Sequence, residues 1–397
     1  MKPTKLLHFI CVLLLLAACS DQEQITRREP PIEHQSYEQR VAYTHRHLSN
    51  LSQIVGQMAR NPTLRQLLYE EAAKRFDGET NVILEVLIEK AKNSHMSLDL
   101  EAEEAIESLN AFKGIEGVNY YPQIFVPNLE YFKRNTALRS EQDLNDPTIV
   151  LFTGDESQEV FQGYSLGDDL TLIEEPDLLV DETYAGQNET WVLSLNETVT
   201  SECAIAELIG EEGPIDGEGE KSCLPGGRTG GTGGTGGGGS GSGHATPSAT
   251  ITDILVACHH ESWAAGQSEV HMITLVHSFE FIDGELNLYG GNDHQGGRIA
   301  KIPRDDVSNL QTIDVNFDVV NCWDDRAPGL PYGSYVIFEY DGFPTGKKDI
   351  TWLSGGRSFD WEYKSADEAY DNSTLFKVDF SRVQFGFPCI EWAGIYQ

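Results

Sequence analysis

His259-His260-Glu261 stands a few residues ahead of Glu269, His271 and His277. Imidazole and carboxylate groups are zinc ligands, and a catalytic zinc takes three of them and keeps one position open. Residues 269, 271 and 277 share a parity, so on a strand they point to one face. The segment reads as strand and has no His-Glu-x-x-His helix. A solvated strand face beside a polar turn therefore accounts for these residues without zinc. A second set is acidic. GGNDHQGG (290–297), WDDRAPG (323–329) and EYDGFPTGKKD (339–349) place Asp293, Asp324, Asp325, Asp341 and Asp349 at expected strand ends. Calcium takes roughly six to eight oxygens from such loops, which makes Asp293, Asp324, Asp325 and Asp341 the candidate metal ligands. Asp beside Gly is also what ordinary turns use, and none of the loops has the EF-hand spacing.

Nucleophilic catalysis has little support. No Gly-x-Ser-x-Gly elbow occurs, and a turn explains Ser354 in LSGGRS. Paired carboxylates for glycoside chemistry have no address among 63 Asp and Glu. Trp263, Trp323, Trp352, Trp361 and Phe343 are candidates for stacking on sugars, although aromatics in a β domain are mostly core. No catalytic residue is assigned.

The elements that position these residues fall in two regions. Leu48, Leu51, Ile54, Val55 and Met58 recur three and four apart and share a helix face. Asn61-Pro62 ends that helix, a second runs from Thr63 to about Lys74, and Asp77-Gly78 is a turn. Asn81 to Lys92 repeats the pattern, and a fourth helix is expected near Leu100 to Phe112. YYPQIFVPN (120–128), PTIVLFTGDE (147–156) and TWVLSLNETV (190–199) are β-rich runs. Helices first and strands later predict an α+β domain over 37–225. The stretch GGRTGGTGGTGGGGSGSG (226–243) has no apolar side chain and reads as the core of a linker, 226–246, spanning roughly 23 Å as a flexible coil. It is no phosphate loop, since no Gly-Lys-Ser/Thr follows. From 247 to 397, nine candidate strands at short spacing predict an all-β sandwich domain. They are ATITDILVAC, SEVHMITLVHSFEF, GELNLYG, GRIAKIP, TIDVNFDVV, GSYVIFEYD, KDITWLS, FKVDFSRVQF and CIEWAGIY.

The N-terminus carries an address. Lys2 and Lys5 precede the apolar run Leu6–Leu16, and Ala17-Ala18-Cys19 follow. A basic start, a short apolar run and small residues at the exit make a secretory signal peptide over residues 1–18. The run is too short to span a bilayer, which takes roughly 20 residues. Leu16-Ala17-Ala18-Cys19 resembles the lipobox of bacterial lipoproteins. That resemblance implies cleavage before Cys19 and acylation, including palmitate, of its thiol and new amino group. The acyl chains would be the contact with the membrane. Ser20 stands where an aspartate would resemble the inner-membrane retention signal, which favours the outer membrane. Ser20-Asp21-Gln22-Glu23 resembles the acidic export signal of surface lipoproteins of the Bacteroidota, which implies display at the cell surface. Residues 19–36 then form a lipidated tether, polar and with Pro30-Pro31.

A formal charge of −35 argues against nucleic acid as a partner, because phosphates need a basic face. Such acidity first implies a soluble exterior. Of seven cysteines, Cys11 leaves with the signal peptide and Cys19 takes lipid. Cys203, Cys223, Cys258, Cys322 and Cys389 remain, an odd number, in a compartment that permits disulfides. A Cys203–Cys223 bridge would close a loop of about 20 residues, contributing roughly 3 kcal/mol.

ESWAAGQSEVHM (261–272) and YVIFEYD (335–341) resemble a β-sandwich module of uncharacterised exported bacterial proteins. YYPQIFVPN, PTIVLFTGDES and WVLSLNE are similar to the N-terminal part of the same lipoproteins. Where that pattern has an aromatic after Glu269-Val270, this chain has His271. The resemblance implies class and location and carries no site residue across. The expectation is a lipid-anchored outer-membrane protein at the cell surface, a non-catalytic binding or adhesion module whose ligand is unknown. The alternative is an anchored hydrolase, with or without a metal, that carries the β-sandwich as accessory, and a third option is a structural envelope component.

Overall fold

Leucine spacing decides the first elements. In the computed structural model of the chain, the described residues are 31–99, 103–129, 145–155, 158–210, 248–258, 262–282, 285–289, 294–320, 323, 328–345, 347–354, 357–364, 370–381, 384–386 and 389–396. Helices α1 (Tyr37–Asn50), α2 (Ser52–Arg60) and α3 (Pro62–Ala72) run in succession. Leu48, Leu51, Ile54, Val55 and Met58 are all buried, as their spacing requires. Asn61 both stops α2 and starts α3. Its Oδ1 accepts from Thr63 N at 3.0 Å and Leu64 N at 3.3 Å, and Pro62 takes the first helical position, where no N–H is needed.

The expected helix from Asn81 begins later. Asn81–Ile83 pair as strand β1, and α4 is Leu84–Asn93. The Asn81 amide is engaged with Asp77 and Glu79, and β-branched Val82 and Ile83 suit a strand. Helix α5 (Glu103–Asn110), strands β2 (Tyr121–Phe125), β3 (Thr148–Leu151), β4 (Phe161–Leu166) and β5 (Leu172–Val180), helix α6 (Glu182–Gln187), strand β6 (Thr190–Asn196) and helix α7 (Glu202–Ile209) complete this region. Its sheet has the order β1-β2-β6-β3-β4-β5. Only β3 and β6 run parallel, so the sheet is mixed and the region is α+β. Strands β4 and β5 lie outside the β-rich runs that the sequence marks. Pro176 and the acids around it in LIEEPDLLV argue against a central strand, and β5 lies at the sheet edge, where such residues belong.

After residue 247 the chain is mostly antiparallel β. Strands β7 (Ala249–Val256), β8 (Ser268–Ile282), β9 (Glu285–Tyr289) and β10 (His294–Ile302) lead to a short helix α8 (Arg304–Ser308). Then come β11 (Ile313–Val320), β12 (Tyr332–Glu339), β13 (Lys347–Ser354), β14 (Arg357–Lys364), β15 (Asp371–Phe376), β16 (Gln384–Gly386) and β17 (Ile390–Tyr396). One sheet has the order β10-β8-β12-β15, with β9 on β8, and another β11-β7-β17-β16; β13 and β14 form a hairpin. Val270, Met272 and Tyr335 of the first sheet and Ile251, Ile254 and Trp392 of the second enter one buried apolar cluster. FKVDFSRVQF is not one strand: it breaks into the end of β15, a 3-10 turn at Lys377–Ser381, and β16. The Cys258–Cys389 disulfide joins the end of β7 to the start of β17 across a sequence separation of 131.

Tyr37–Gln397 forms one compact unit, and Met1–Ser36 is a separate one whose described part holds a 3-10 turn, Ile32–His34. Within the larger unit the α+β and β regions lie in contact. Trp263 meets Phe161 edge to face at 5.5 Å, and Phe343 meets Phe112 at 6.1 Å and Tyr120 at 5.9 Å. Gly154 (φ +89°) closes another contact, since a Cβ there would stand 2.2 Å from Pro344 Cδ. The Gly-rich stretch lies outside the described residues. Among the described residues, no helix is long and apolar enough to cross a membrane.

Candidate functional site

Where the two regions meet, the chain buries carboxylates that sequence reading had not singled out. Helix α3 ends, Arg75 takes a left-handed conformation (φ 47°), and the Asp77-Gly78 turn follows. Asp77 Oδ1 accepts from Glu79 N at 3.1 Å, the Asx turn that this sequence favours. Asn81 Nδ2 then donates to Asp77 Oδ2 at 3.0 Å and to Glu79 Oε2 at 2.6 Å, so one amide bridges two buried carboxyls. Across the junction, Gln267 N donates to Glu79 Oε1 at 2.5 Å. Gly266 makes that approach feasible. It has φ +112°, and a Cβ there would lie 2.3 Å from Glu79 Oε1.

Behind Glu79 lies a charge network. Lys301 Nζ on β10 sits 2.7 Å from Glu269 Oε1 on β8 and donates to Thr198 Oγ1 at 2.9 Å. Arg298 is 3.4 Å from the same Glu269 oxygen, and His271 Nε2 is 3.9 Å from its other oxygen. Glu197, after β6, accepts from Gly342 N and faces Glu269 and Asp341. These groups share too few cations, and their proton affinities diverge accordingly. Burial pushes Glu79 up to about 7, assisted by Asp77 and opposed by Lys301 and its hydrogen-bond donors. Burial, then the charges of Glu269 and Asp341, hold Glu197 well above the usual carboxylate range. Burial works the same way on Glu269, but His271, Lys301 and Arg298 outweigh it and hold that carboxyl well below the range. Burial works against the Lys301 ammonium, yet Glu269, Glu79 and Asp77 hold it above its ordinary value.

Glu79 also borders open space. A cleft of about 480 Å³ runs along the junction, with Glu79 and Thr80 at its floor, Trp263 and Phe125 as apolar lining, and Arg75, Glu182 and Arg304 among its charged residues. Trp263 is held by its Nε1 donating to Glu159 O at 3.0 Å. Thr80 Oγ1 is engaged with Val126 O at 2.6 Å. No Ser, Cys or His is among the cleft's described lining residues.

The residues singled out from sequence are distributed differently. Glu269 and His271 belong to the junction network, with His271 stacked on Tyr340 at 4.9 Å. His277 lies on the same strand face, buried, with Nε2 2.7 Å from Ser334 Oγ, which in turn is 2.6 Å from Thr374 Oγ1. Burial pushes this imidazole down to about 4, so it is a neutral interior histidine. The three do not converge on a metal, and among the described residues no group of three or more His, Cys, Asp or Glu is arranged to hold one. Of the candidate calcium ligands, Asp341 is 2% exposed and faces Glu197 across the junction, not an open loop. Asp293, Asp324 and Asp325 lie outside the described residues, as do Cys19, Cys223 and His259-His260-Glu261. Cys203 is disulfide-bonded. Trp263 borders the cleft but is 3% exposed and packed in a buried apolar cluster with Phe152 and Phe161, and Trp323 is core, its Nε1 donating to Leu330 O at 2.6 Å. Asp77, Glu79, Glu197 and Lys301 were missed because nothing local marks them. Only the Asp77-Gly78 turn left a signal in the sequence.

No family model, curated protein or solved structure matches the chain.

Proposed function

We propose that this chain is an exported lipoprotein, anchored through Cys19 to the outer membrane and displayed at the cell surface. In this reading it is a non-catalytic binding protein that takes its ligand in the junction cleft, and its second region is a β-sandwich module. The resemblance to uncharacterised Bacteroidota-type lipoproteins supports class and location, and the Cys258–Cys389 disulfide supports an oxidising compartment. The observation that carries the binding reading is the cleft itself. Its lining sets Phe125, Pro127, Trp263 and Pro303 among fixed polar and charged groups, the mixture that orients a ligand in a concave site.

The test fills the cleft. Gly186 on α6 lines it, and a Cβ there meets nothing within 4 Å. Gly186→Trp should leave the melting temperature unchanged and abolish binding in a screen of glycans and peptides; a ligand held equally well by both proteins would place binding elsewhere. Fatty-acid labelling that persists in Cys19→Ala would remove the anchor. One observation favours a second reading, an anchored hydrolase. Glu79 keeps its proton near neutrality and Glu182 offers another carboxyl on the same cleft, the pairing of acid and base that glycoside hydrolysis uses. Turnover of a bound glycan, lost in Glu79→Gln with binding intact, would select it. The calcium reading rests on Asp293, Asp324, Asp325 and Asp341, and a structural envelope role on neither site.

A further inference from the structure

We infer that the ligand of the junction cleft carries a single carboxylate, received by Arg75 and Arg304, on an apolar body that lies against Trp263 and Phe125. This deepens the binding reading and rests on it. Arg75 is exposed at the cleft, and its backbone is pinned. Its N–H donates to Ala72 O at 3.3 Å and its carbonyl accepts from Gly78 N at 2.9 Å, which fixes the left-handed conformation. A non-glycine residue held there is uncommon, and among the described residues no ion pair accounts for its charge. A cation after a helix C-terminus also suits the dipole, but that role alone needs no second cation on the same cleft.

Arg304 supplies that second cation. Its side chain is mostly covered, and it stands 3.6 Å from Glu182 and 3.9 Å from Glu159, whose side chains are 66% and 56% exposed. Long pairs to water-facing carboxylates are weak, so a ligand carboxylate that docks bidentately on the guanidinium can displace them. Arg304 would exchange Glu182 and Glu159 for the ligand, and Arg75 adds a second guanidinium on the same cleft, which suits a ligand with one carboxylate. The −35 charge of the whole chain repels a polyanion.

Glu79 would oppose an anion if it were ionised. The groups around it are Arg75, Asp77 and Asn81 from its own segment, Gln267 N from the loop before β8, Lys301 from β10, Glu269 of β8 and Glu197 after β6 in the inner pocket, and Glu182 and Arg304 along the cleft. They leave it protonated below neutrality, when an anion meets a neutral floor.

The experiment is calorimetric titration of the full chain in detergent with N-acetyl-L-phenylalanine and with its amide, at pH 6 and pH 8. The acid should bind at pH 6 and the amide about tenfold more weakly or worse, since a charge-assisted pair is worth at least that factor. Arg75→Ala and Arg304→Ala should each weaken the acid about tenfold and leave the amide unchanged. Binding of the acid should fall at pH 8, and that fall should vanish in Glu79→Gln. Equal binding of acid and amide, unchanged affinity in both arginine variants, or no binding of the acid at pH 6 would overturn the inference. A neutral ligand whose binding is lost in Gly186→Trp would then leave the binding reading standing without it.

Discussion

Glu79→Gln should flatten one limb of the pH–stability curve. In the folded chain burial holds this carboxyl at about 7 against an ordinary 4.5, and Glu79 is only 7% exposed, so solvent screens the effect little. A raised carboxyl contributes stability that is fully present below the unfolded value. That contribution is lost as the pH rises through 4.5 and on through about 7, because the unfolded chain releases the proton first. The loss amounts to about 3 kcal/mol once the pH is above both values. For a unit of this size that is about 4 °C in melting temperature. Glutamine does not titrate, and its carbonyl can still accept from Gln267 N. Thermal melts of both proteins at half-unit steps from pH 4.5 to 8.5 give the difference curve. The wild type should lose those few degrees relative to the variant across the interval. Glu197, also raised, adds its own loss in both proteins and drops out of the difference. A flat difference curve would refute the argument, because it would mean that Glu79 is solvated or fully neutralised by Lys301.

Two further perturbations test the frame around the site. Reducing Cys258–Cys389, or replacing Cys389 with Ser, releases a loop closed across 131 residues and should destabilise by about 5 kcal/mol on loop entropy; chemical denaturation with and without reductant measures it. Arg65→Ala should cost about 3 to 5 kcal/mol. It removes the donor to Glu189, to Ala59 O at 3.2 Å and to Asn145 O at 3.1 Å, and takes the cation from a Glu189 carboxylate that keeps the Tyr69 hydroxyl as a donor. Arg65→Lys should recover little, because an ammonium lacks the fork that reaches all of these acceptors; urea titration of both variants would show it.

How much of this was legible in the sequence depended on periodicity. The first helical stretches were legible because Leu48, Leu51, Ile54, Val55, Met58, Leu64 and Leu68 must bury one face, and all are buried, although the one helix expected over Leu48 to Met58 is divided between α1 and α2. Most later strands were legible for the same reason at period two, with Val270, Met272 and Val276 turned into the core. β5 was not, because an edge strand tolerates Pro176 and the surrounding acids that a central strand excludes. β15 was not, because Asp371-Asn372-Ser373-Thr374 carries no apolar alternation. The site was illegible for a different reason. Glu79 differs from the other acidic residues only in its surroundings, which come from Gln267 and Gly266 nearly two hundred residues away and from Lys301 still farther along the chain. Local pattern carries no trace of such a partner. The histidines misled in the opposite direction: His277 looks like a ligand by type, yet Ser334 and burial make it a neutral part of the interior.

The acidity of the chain therefore has two parts with different consequences. Most of the excess of 63 acidic over 28 basic residues needs only water. Asp77, Glu79, Glu269 and Asp341 are buried, and the cations beside this group are Lys301 and Arg298. A buried set with more carboxylates than cations must keep protons or come apart, since an unpaired interior charge is far more expensive than a retained proton. Because the set lies across the contact between the two regions, its protonation is coupled to that contact. The cleft is built along the same contact, with Glu79 common to both. A ligand that strengthens the burial of this set should then take up protons on binding near pH 7, and by linkage protons should favour the ligand. A binding protein with its carboxyl on a separate surface would show neither effect.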